Sequence, residues 1–266
     1  MPPPEPALIR VENFTAAYDG SPILENINFE VRRGEVFVIL GGSGSGKSTL
    51  LRHMIGLFPP AAGRIWIDGE NLAEAEGDAR HRILRKFGVM YQSGALFGSM
   101  SLLENVRLPL EEFTQLTPSA QDLIARMKLK LVGLAGSENK MPSELSGGMQ
   151  KRGAIARAMV LDPQILFLDE PSAGLDPITS AELDQTILHL ARSLHVTFVV
   201  VTHELPSIYT IADRVIMLDK SVRGIVATGK PAELREHSDN AYVRRFFNRE
   251  AEPPPEATRM VPASSP

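Results

Sequence analysis

The fold of this chain is decided by one stretch of sequence, Val36-Phe37-Val38-Ile39-Leu40 followed by Gly41-Gly42-Ser43-Gly44-Ser45-Gly46-Lys47-Ser48-Thr49. The first five residues are all apolar, which is typical of a strand buried on both faces of a mostly parallel sheet. The nine that follow fit the pattern G-x-x-x-x-G-K-[ST] of a loop that binds phosphate groups. An ordinary Gly/Ser-rich turn is the alternative. The buried strand before the loop and the apolar-faced helix after it favour a phosphate site.

The chemistry of phosphate binding explains the residue types in this loop. Glycines let backbone N–H groups surround a phosphate without Cβ clashes, and a helix that begins near Lys47 directs its positive end toward the same group. Lys47 is predicted to reach the β- and γ-phosphates, and the Ser48 hydroxyl to bind Mg²⁺. The predicted nucleotide-binding residues are the whole run, Gly41, Gly42, Ser43, Gly44, Ser45, Gly46, Lys47, Ser48 and Thr49.

Two adjacent carboxylates end a second apolar run, Ile165-Leu166-Phe167-Leu168-Asp169-Glu170. Asp169 is predicted to hold Mg²⁺, directly or through water, and Glu170 to activate the attacking water as a general base. A polar strand end at a turn would have the same sequence, but the phosphate loop earlier in the chain favours the catalytic interpretation. Gln92 and His203 also follow short apolar runs, and each is a weak signal on its own.

The order of the apolar runs indicates an α/β fold with a mostly parallel core sheet. Further strands are expected at Ile165–Leu168 and Thr197–Val201, with helical patterns between them. The first part alternates apolar and polar residues around turns such as Asp19-Gly20, which predicts an N-terminal antiparallel β subdomain. A helical insert is predicted at about 94–160. The body is expected to span 8–249, between a disordered N-terminus (1–7) and a Pro-rich flexible tail (250–266).

Composition excludes several classes of protein. The chain has 266 residues, 43% hydrophobic and 23% charged, which is ordinary for a soluble globular domain. The formal net charge of −4 argues against a general nucleic-acid binder. Because cysteine is absent, disulfides, cysteine metal sites and thiol nucleophiles are excluded. No apolar run approaches the ~20 residues that span a bilayer, and no secretory signal is seen, so a membrane role is expected to come through a partner.

The segment Leu145-Ser146-Gly147-Gly148-Met149, followed by Gln150-Lys151-Arg152, resembles the ABC signature motif. With it, the chain has the full motif order of an ABC-type P-loop ATPase. The resemblance implies that Tyr18 stacks on adenine, that Gln92 is the Q-loop residue and a Mg²⁺ ligand, that Asp176 lies in the D-loop, and that His203 is the switch histidine. Met149 stands where many ABC proteins have Gln, and activity is expected to survive this change.

The signature motif implies that two copies of the chain act together. Ser146 and the amides of Gly147 and Gly148 are expected at a helix N-terminus, which is a second anion site. In the family, each ATP lies between the P-loop of one subunit and the signature of the other. We therefore expect ATP and Mg²⁺ as cofactors and an ATP-sandwiched dimer. ATP binding would favour the closed pair and hydrolysis would weaken it.

A finer resemblance concerns the branch of the family. Tyr91-Gln92-Ser93-Gly94-Ala95-Leu96-Phe97 and the Met-type signature are similar to the maintenance-of-lipid-asymmetry and mammalian-cell-entry ATPases. That implies phospholipid transport between bacterial membranes, at the cytoplasmic face of the inner membrane. The implied partners are an integral membrane permease, an accessory cytoplasmic subunit and a periplasmic cell-entry-type lipid-binding protein. The alternatives are an ABC importer or exporter ATPase for another small molecule, and a soluble non-transport ABC ATPase.

Two further segments have competing interpretations. The stretch Tyr242–Asn248, with Phe246 and Phe247, is expected to form a last helix that docks on its own core, and contact with another subunit is the alternative. The basic pair Lys151-Arg152 is predicted to be a solvated or phosphate-side helix face rather than a nucleic-acid patch.

Overall fold

The computed structural model describes residues 7–250. The predicted disordered ends fall almost wholly on 1–6 and 251–266, which lie outside the described residues. Ten strands and nine α-helices are found within 7–250. The strands are β1 Ile9–Tyr18, β2 Ser21–Val31, β3 Val36–Gly41, β4 Ala62–Ile67, β5 Glu70–Asn71, β6 Phe87–Met90, β7 Ile165–Asp169, β8 Thr197–Val201, β9 Arg214–Asp219 and β10 Gly224–Gly229. The helices are α1 Lys47–Met54, α2 Gly77–Leu84, α3 Leu102–Phe113, α4 Pro118–Leu131, α5 Gly147–Ala158, α6 Pro177–Leu194, α7 Leu205–Ile211, α8 Pro231–His237 and α9 Ala241–Asn248.

The central sheet has the strand order β10-β9-β3-β8-β7-β6. Its five strands from β9 to β6 are parallel, and β10 pairs antiparallel with β9 at one edge. A second, antiparallel sheet has the order β2-β1-β4-β5. The predicted fold class, an α/β fold with a mostly parallel core sheet and an N-terminal antiparallel β subdomain, is confirmed.

Both faces of the parallel sheet are buried, each in a different core. Alternate residues of β3 show this: Val36, Val38 and Leu40 face a core that they share with the helices, whereas Phe37 and Ile39 face a core that they share with the antiparallel sheet and α1. Successive side chains of a strand point to opposite faces, so a strand covered on both sides has to be apolar throughout. This explains why β3, β7 and β8 are continuous apolar runs.

The segment between β6 and β7 contains the helices α3, α4 and α5 and a short 3₁₀ turn at Pro142–Glu144. Helix α3 begins with a capping box, in which the Ser101 hydroxyl accepts from the Glu104 amide and the Glu104 carboxylate accepts from the Ser101 amide. The three helices pack on one another. This layer carries the sequence that resembles the signature motif, at the N-terminus of α5.

Candidate functional site at the carboxyl edge of the sheet

Four segments with predicted function follow four neighbouring parallel strands. The phosphate loop follows β3, the carboxylate pair ends β7, His203 follows β8, and Gln92 follows β6. Since β3, β8, β7 and β6 are adjacent in the sheet, their carboxyl ends form one continuous edge. Ligands of open α/β sheets bind at this edge. The topology therefore brings together residues that lie more than 150 positions apart in the sequence.

The phosphate loop is held in an open, cradle-like form. Gly44 and Gly46 have φ angles of 74° and 94°, a region that residues with a side chain rarely adopt. Gly46 precedes α1 and provides no side-chain cap, so the first amides of the helix stay available to an anion. The loop lines a cavity of about 420 Å³ together with Ile23. This geometry suits a phosphate chain.

Lys47 lies inside this loop and close to the carboxylates. Its Nζ donates hydrogen bonds to the carbonyl oxygens of Gly41, at 2.9 Å, and Gly42, at 3.1 Å. Burial lowers the pKa of Lys47, and the charges of Glu170 and Asp169 act in the opposite direction. The ammonium group is thus held at the phosphate loop, where it can attract the negative charges of a phosphate group.

Glu170 and His203 form a hydrogen-bonded pair. His203 Nδ1 and Glu170 Oε1 lie 2.8 Å apart. Because a carboxylate only accepts, Nδ1 carries the proton in this contact and Nε2 faces away from the pair. Glu170 is buried and has a φ of 47°, in the left-handed region that is unusual for a residue with a side chain. Strained backbone of this kind concentrates at functional sites.

Each carboxylate of the pair has one buried oxygen without a partner. Among residues 7–250, nothing donates a hydrogen bond to Asp169 Oδ1 or to Glu170 Oε2. Burial raises the pKa of Asp169, the adjacent Glu170 charge raises it further, and Arg52, Lys47 and Lys151 lower it. Buried carboxylate oxygens without partners fit a divalent cation. Among residues 7–250 no group of three His, Asp or Glu side chains forms a metal site, so such a cation would take its other ligands from hydroxyl, amide, water or phosphate oxygens.

Lys151 is a further candidate functional residue. A solvated position is wrong for it, because Lys151 is buried and its Nζ donates to the backbone oxygen of Gln92. Further along the same helix, Arg157 donates to the carbonyl oxygens of Gly94 and Ala95, at 3.2 Å and 2.8 Å. Two cations of α5 thus hold the backbone that follows β6, and the signature helix and the Gln92 loop are joined.

The contact between Lys151 and the Gln92 carbonyl could not be predicted from the sequence. A Lys-Arg pair on a helix is usually solvated, and the loop carbonyls that require donors are 59 residues away in the sequence. The charge of Lys151 also acts on Asp169 and Glu170. It therefore contributes to the electrostatics of the carboxylate edge as well as to the position of Gln92.

The signature segment forms a separate potential anion site. Ser146 is the N-cap of α5, and its hydroxyl accepts from the Met149 amide at 3.3 Å. The space around Gly148 is tight, since a Cβ there would lie 2.3 Å from Thr179 Cγ2. No hydrogen bond between this segment and the phosphate loop is found in the described part of the chain. The structure does not bring Ser146, Gly147 and Gly148 to the phosphate loop of the same chain.

Asp176 is used as a helix cap, whereas Tyr18 is an exposed ring at the end of a strand. Asp176 is the N-cap of α6, where its carboxylate accepts from the amides of Ile178 and Thr179 at 3.0 Å and 3.1 Å. Hydrogen bonds from Thr179 lower the pKa of Asp176. Tyr18 ends β1 and is 72% exposed, so its ring is free to stack on a planar ligand.

Comparison with known proteins identifies the family. The family model described as ABC transporter matches residues 24–173, which is more than half of the chain. The chain belongs to the ABC transporter family. The predictions of an ABC-type ATPase and of an ATP-binding transporter subunit are confirmed with it. Among residues 7–250 of this ABC transporter subunit, no helix is long and apolar enough to cross a membrane.

Relatives of this ABC transporter subunit come from several bacteria. It is 43% identical over 240 residues to a probable ribonucleotide transport ATP-binding protein of Mycobacterium leprae, covering 90% of this chain and 68% of that protein. It is 42% identical over 233 residues to the intermembrane phospholipid transport system ATP-binding protein MlaF of Escherichia coli K12, covering 87% and 85%. The predicted resemblance to the lipid-asymmetry branch is thereby confirmed.

Solved structures of ABC proteins have the same fold. One is CbiO1 of Clostridium perfringens, described as part of the ABC transporter complex CbiONQ, with a TM-score of 0.81 and 29% identity over 92% of this chain and 96% of that one. Another is the ATP-binding cassette MJ0796, a dimer in a post-hydrolysis state bound to ADP and Pi, with a TM-score of 0.75 and 32% identity over 84% and 98%.

Proposed function

We propose that this subunit binds and hydrolyses ATP as one of a pair of identical chains and thereby drives a membrane permease that moves phospholipid between bacterial membranes. One observation carries the proposal. Lys47, Asp169, Glu170 and His203 meet at one edge of the sheet. Among residues 7–250, Ser146 makes no hydrogen bond to the phosphate loop or to these side chains, and its hydroxyl caps α5 instead. One half of a nucleotide site is present at the edge, and a second chain would supply the other half.

The residues at the edge have separate roles in the proposed ATP hydrolysis. ATP phosphates occupy the loop 41–49, with Tyr18 on the adenine. Ser48, Gln92 and Asp169 would hold Mg²⁺, directly or through water, and the ion would neutralise phosphate charge. Glu170 accepts the proton of the attacking water, and the 2.8 Å contact with His203 Nδ1 fixes its carboxylate. The buried, unpartnered oxygens of Asp169 and Glu170 support this division of roles.

The second half of the site comes from the partner chain. Ser146 and the amides of Gly147 and Gly148 would contact the γ-phosphate of an ATP held by the other subunit, with Asp176 at the same interface. The ligand then binds the closed pair better than the open one, which a population shift requires. The dimeric cassette MJ0796 supports this arrangement by similarity.

A groove beside the Gln92 loop supports permease docking. It has a volume of about 450 Å³ and lies between α2 and β6 on one side and α3 and α5 on the other. Apolar residues such as Leu84, Pro109 and Leu161 line it, and His81, Arg85 and Arg157 add basic groups. We assign it to a short amphipathic cytoplasmic helix of the permease with acidic residues at its ends. Arg157 also holds the Gln92 loop, so docking would be sensed at the site.

The cargo assignment rests on similarity. MlaF of Escherichia coli and of Haemophilus influenzae, 42% and 37% identical, are named for intermembrane phospholipid transport, which favours phospholipid. The mycobacterial relative is named for ribonucleotide transport, which keeps a small-molecule cargo as the second candidate. For the phospholipid system we further propose a position at the cytoplasmic face of the inner membrane, an accessory cytoplasmic subunit and a periplasmic cell-entry-type lipid-binding protein.

Reconstitution of the subunit with its permease in vesicles tests the proposal. Fluorescent phospholipid and radiolabelled ribonucleotide are offered in parallel, with MgATP. We expect ATP-dependent movement of phospholipid alone, lost with Glu170→Gln. Movement of ribonucleotide alone would replace the cargo, and ATP hydrolysis that continues unchanged in the Glu170→Gln variant would remove the proposed mechanism.

A further inference from the structure

The C-terminal helix α9 reaches the phosphate loop. Its N-cap Asn240 accepts from the amides of Tyr242 and Val243, at 2.9 Å and 3.4 Å. Val243 and Phe247 are buried in the helical core. The side chain of Tyr242, one residue before Val243, extends from this helix to Gly42, the second residue of the loop.

The contact between Tyr242 and Gly42 is close and specific. A Cβ built at Gly42 would lie 3.0 Å from the Tyr242 hydroxyl oxygen and within 4 Å of no other neighbour outside its own segment. Burial raises the pKa of Tyr242, its contact with the Gly42 backbone lowers it, and the charge of Asp219 raises it. The hydroxyl is therefore protonated at neutral pH.

Gly42 is consequently held from two sides. Its carbonyl oxygen accepts from Lys47 Nζ at 3.1 Å, and the Tyr242 hydroxyl lies against the side of Gly42 on which a Cβ would stand. Gly42 itself has an ordinary φ, so its backbone conformation does not require glycine. The absence of a side chain is explained by the space that the Tyr242 hydroxyl occupies.

The C-terminal part of helix α9 is held by helix α7. The Tyr209 hydroxyl of α7 donates to the Phe247 carbonyl oxygen at 3.1 Å, and the two rings lie 6.0 Å apart. Helix α7 follows the loop that carries His203. A rigid helix is thus placed between the His203 segment and the phosphate loop, and Tyr242 is its contact with the loop.

We infer that Tyr242 is a positioning residue for nucleotide binding, which fixes the start of the phosphate loop in its ligand-ready form through the Gly42 backbone. The inference rests on the proposed nucleotide site at residues 41–49. A loop already held in the binding conformation loses less entropy when the ligand arrives, so the hydroxyl raises affinity without touching ATP. Loss of the hydroxyl should therefore change KM for ATP and leave kcat unchanged.

Equilibrium binding of MgATP to the full chain, in a Glu170→Gln background that prevents turnover, tests the inference. Tyr242→Phe keeps the ring packing and removes the hydroxyl that contacts Gly42, and should raise Kd severalfold. The matched control Tyr209→Phe removes the other hydroxyl that contacts α9 and should leave Kd within about twofold. In chains with Glu170 intact, Tyr242→Phe should raise KM for ATP about as much and leave kcat unchanged.

A pair of substitutions separates positioning from simple helix packing. Gly42→Ala adds a Cβ against the Tyr242 hydroxyl and should weaken binding, whereas the same change combined with Tyr242→Phe should cost less because the clashing oxygen is gone. Equal costs in both backgrounds, or an unchanged Kd in Tyr242→Phe, would overturn the inference. Lys47→Ala keeps the two proposals apart. If it loses binding while Tyr242→Phe does not, the site stands and the role of Tyr242 fails.

Discussion

The carboxyl edge of the parallel sheet and the N-terminus of α5 are both predicted to meet the same nucleotide, yet they are built differently. At the edge, the carboxylates and Lys47 are partly or fully buried, and one oxygen each of Asp169 and Glu170 has no partner in the described part of the chain. At α5, Ser146 is exposed and its hydroxyl is already used as a helix cap. The edge is incomplete without a ligand, and the signature is a surface feature that needs another molecule to become a site.

The two regions therefore differ in the unfavourable burial energy that they contain before a ligand binds. Buried carboxylate oxygens without hydrogen-bond partners are costly, and a bound cation recovers part of that cost. The signature has no such cost, because Ser146 is exposed and its hydroxyl already caps the helix. Substitutions at the edge should therefore change ATP binding and hydrolysis in each chain, whereas substitutions in the signature should change only the steps that need a second chain. Four substitutions test this division.

The largest effect is expected from Glu170→Gln. The change removes the proton acceptor and keeps the size of the side chain, so hydrolysis should fall by about a thousandfold or more, within the range of general-base catalysis. ATP binding should persist and trap the closed pair. Phosphate release and light scattering measure the two effects. A variant that hydrolyses ATP near the normal rate would exclude Glu170 as the base.

The next effect is expected from Ser146→Asp. Aspartate caps a helix as well as serine does, but it places a negative charge against the γ-phosphate held by the partner. Hydrolysis should fall about a hundredfold while ATP affinity of the single chain stays unchanged. Thr117→Asp, at the N-cap of α4, is the matched control and should be silent. Loss of affinity in the single chain would mean that the signature contacts its own nucleotide.

A smaller effect, on binding alone, is expected from Lys47→Ala. Loss of charge-assisted hydrogen bonds to phosphate should raise the Kd for ATP about 10- to 100-fold. Lys220→Ala is the control, because Lys220 is exposed and follows β9 at the same edge of the sheet. Titration of a fluorescent ATP analogue measures both variants. Unaltered affinity in Lys47→Ala would remove the cradle assignment.

The smallest effect is expected from Lys151→Met, which tests whether the two regions are mechanically joined. The variant keeps the buried stem, loses the bond to the Gln92 carbonyl, and should lower kcat severalfold with little change in ATP affinity. The Lys151 charge lowers the pKa of Asp169, so its removal should raise that pKa further. The acid limb of the rate profile should then move to higher pH. Lys130→Met, at an exposed position on α4, should leave the profile unchanged.

An unshifted acid limb with a reduced kcat would leave Lys151 only a structural role. An unchanged kcat would separate the signature helix from the Gln92 loop and weaken the link between the two regions.

Much of this architecture was predictable from local sequence. Continuous apolar runs predicted β3, β7 and β8 because both faces of the sheet are covered, and the glycines of 41–46 predicted the loop because few other residues adopt its backbone. On α6, Leu183, Ile187 and Leu190 recur at helical spacing and are buried, whereas Leu194, at the next such position, lies in the last turn and is 40% exposed.

Contacts between distant segments were less predictable. The pairing of Lys151 with the Gln92 carbonyl joins a helix to an irregular loop, and no periodic pattern marks either partner. The approach of Tyr242 to Gly42 spans 200 positions and depends on how α9 docks. The docking itself was foreseen from Phe246 and Phe247, because aromatic burial leaves a signal in the sequence whereas a single hydroxyl contact does not.

The central claim, that two chains share each nucleotide, is tested most directly by cross-linking. The chain contains no cysteine, so Ser43→Cys in one preparation and Ser146→Cys in another, both with Glu170→Gln, provide one thiol each. Mixed with MgATP and a short bifunctional maleimide, the two variants should form a covalent dimer that neither forms alone and that disappears without ATP. A chain with both substitutions that instead cross-links within itself, as a monomer and without ATP, would contradict the account.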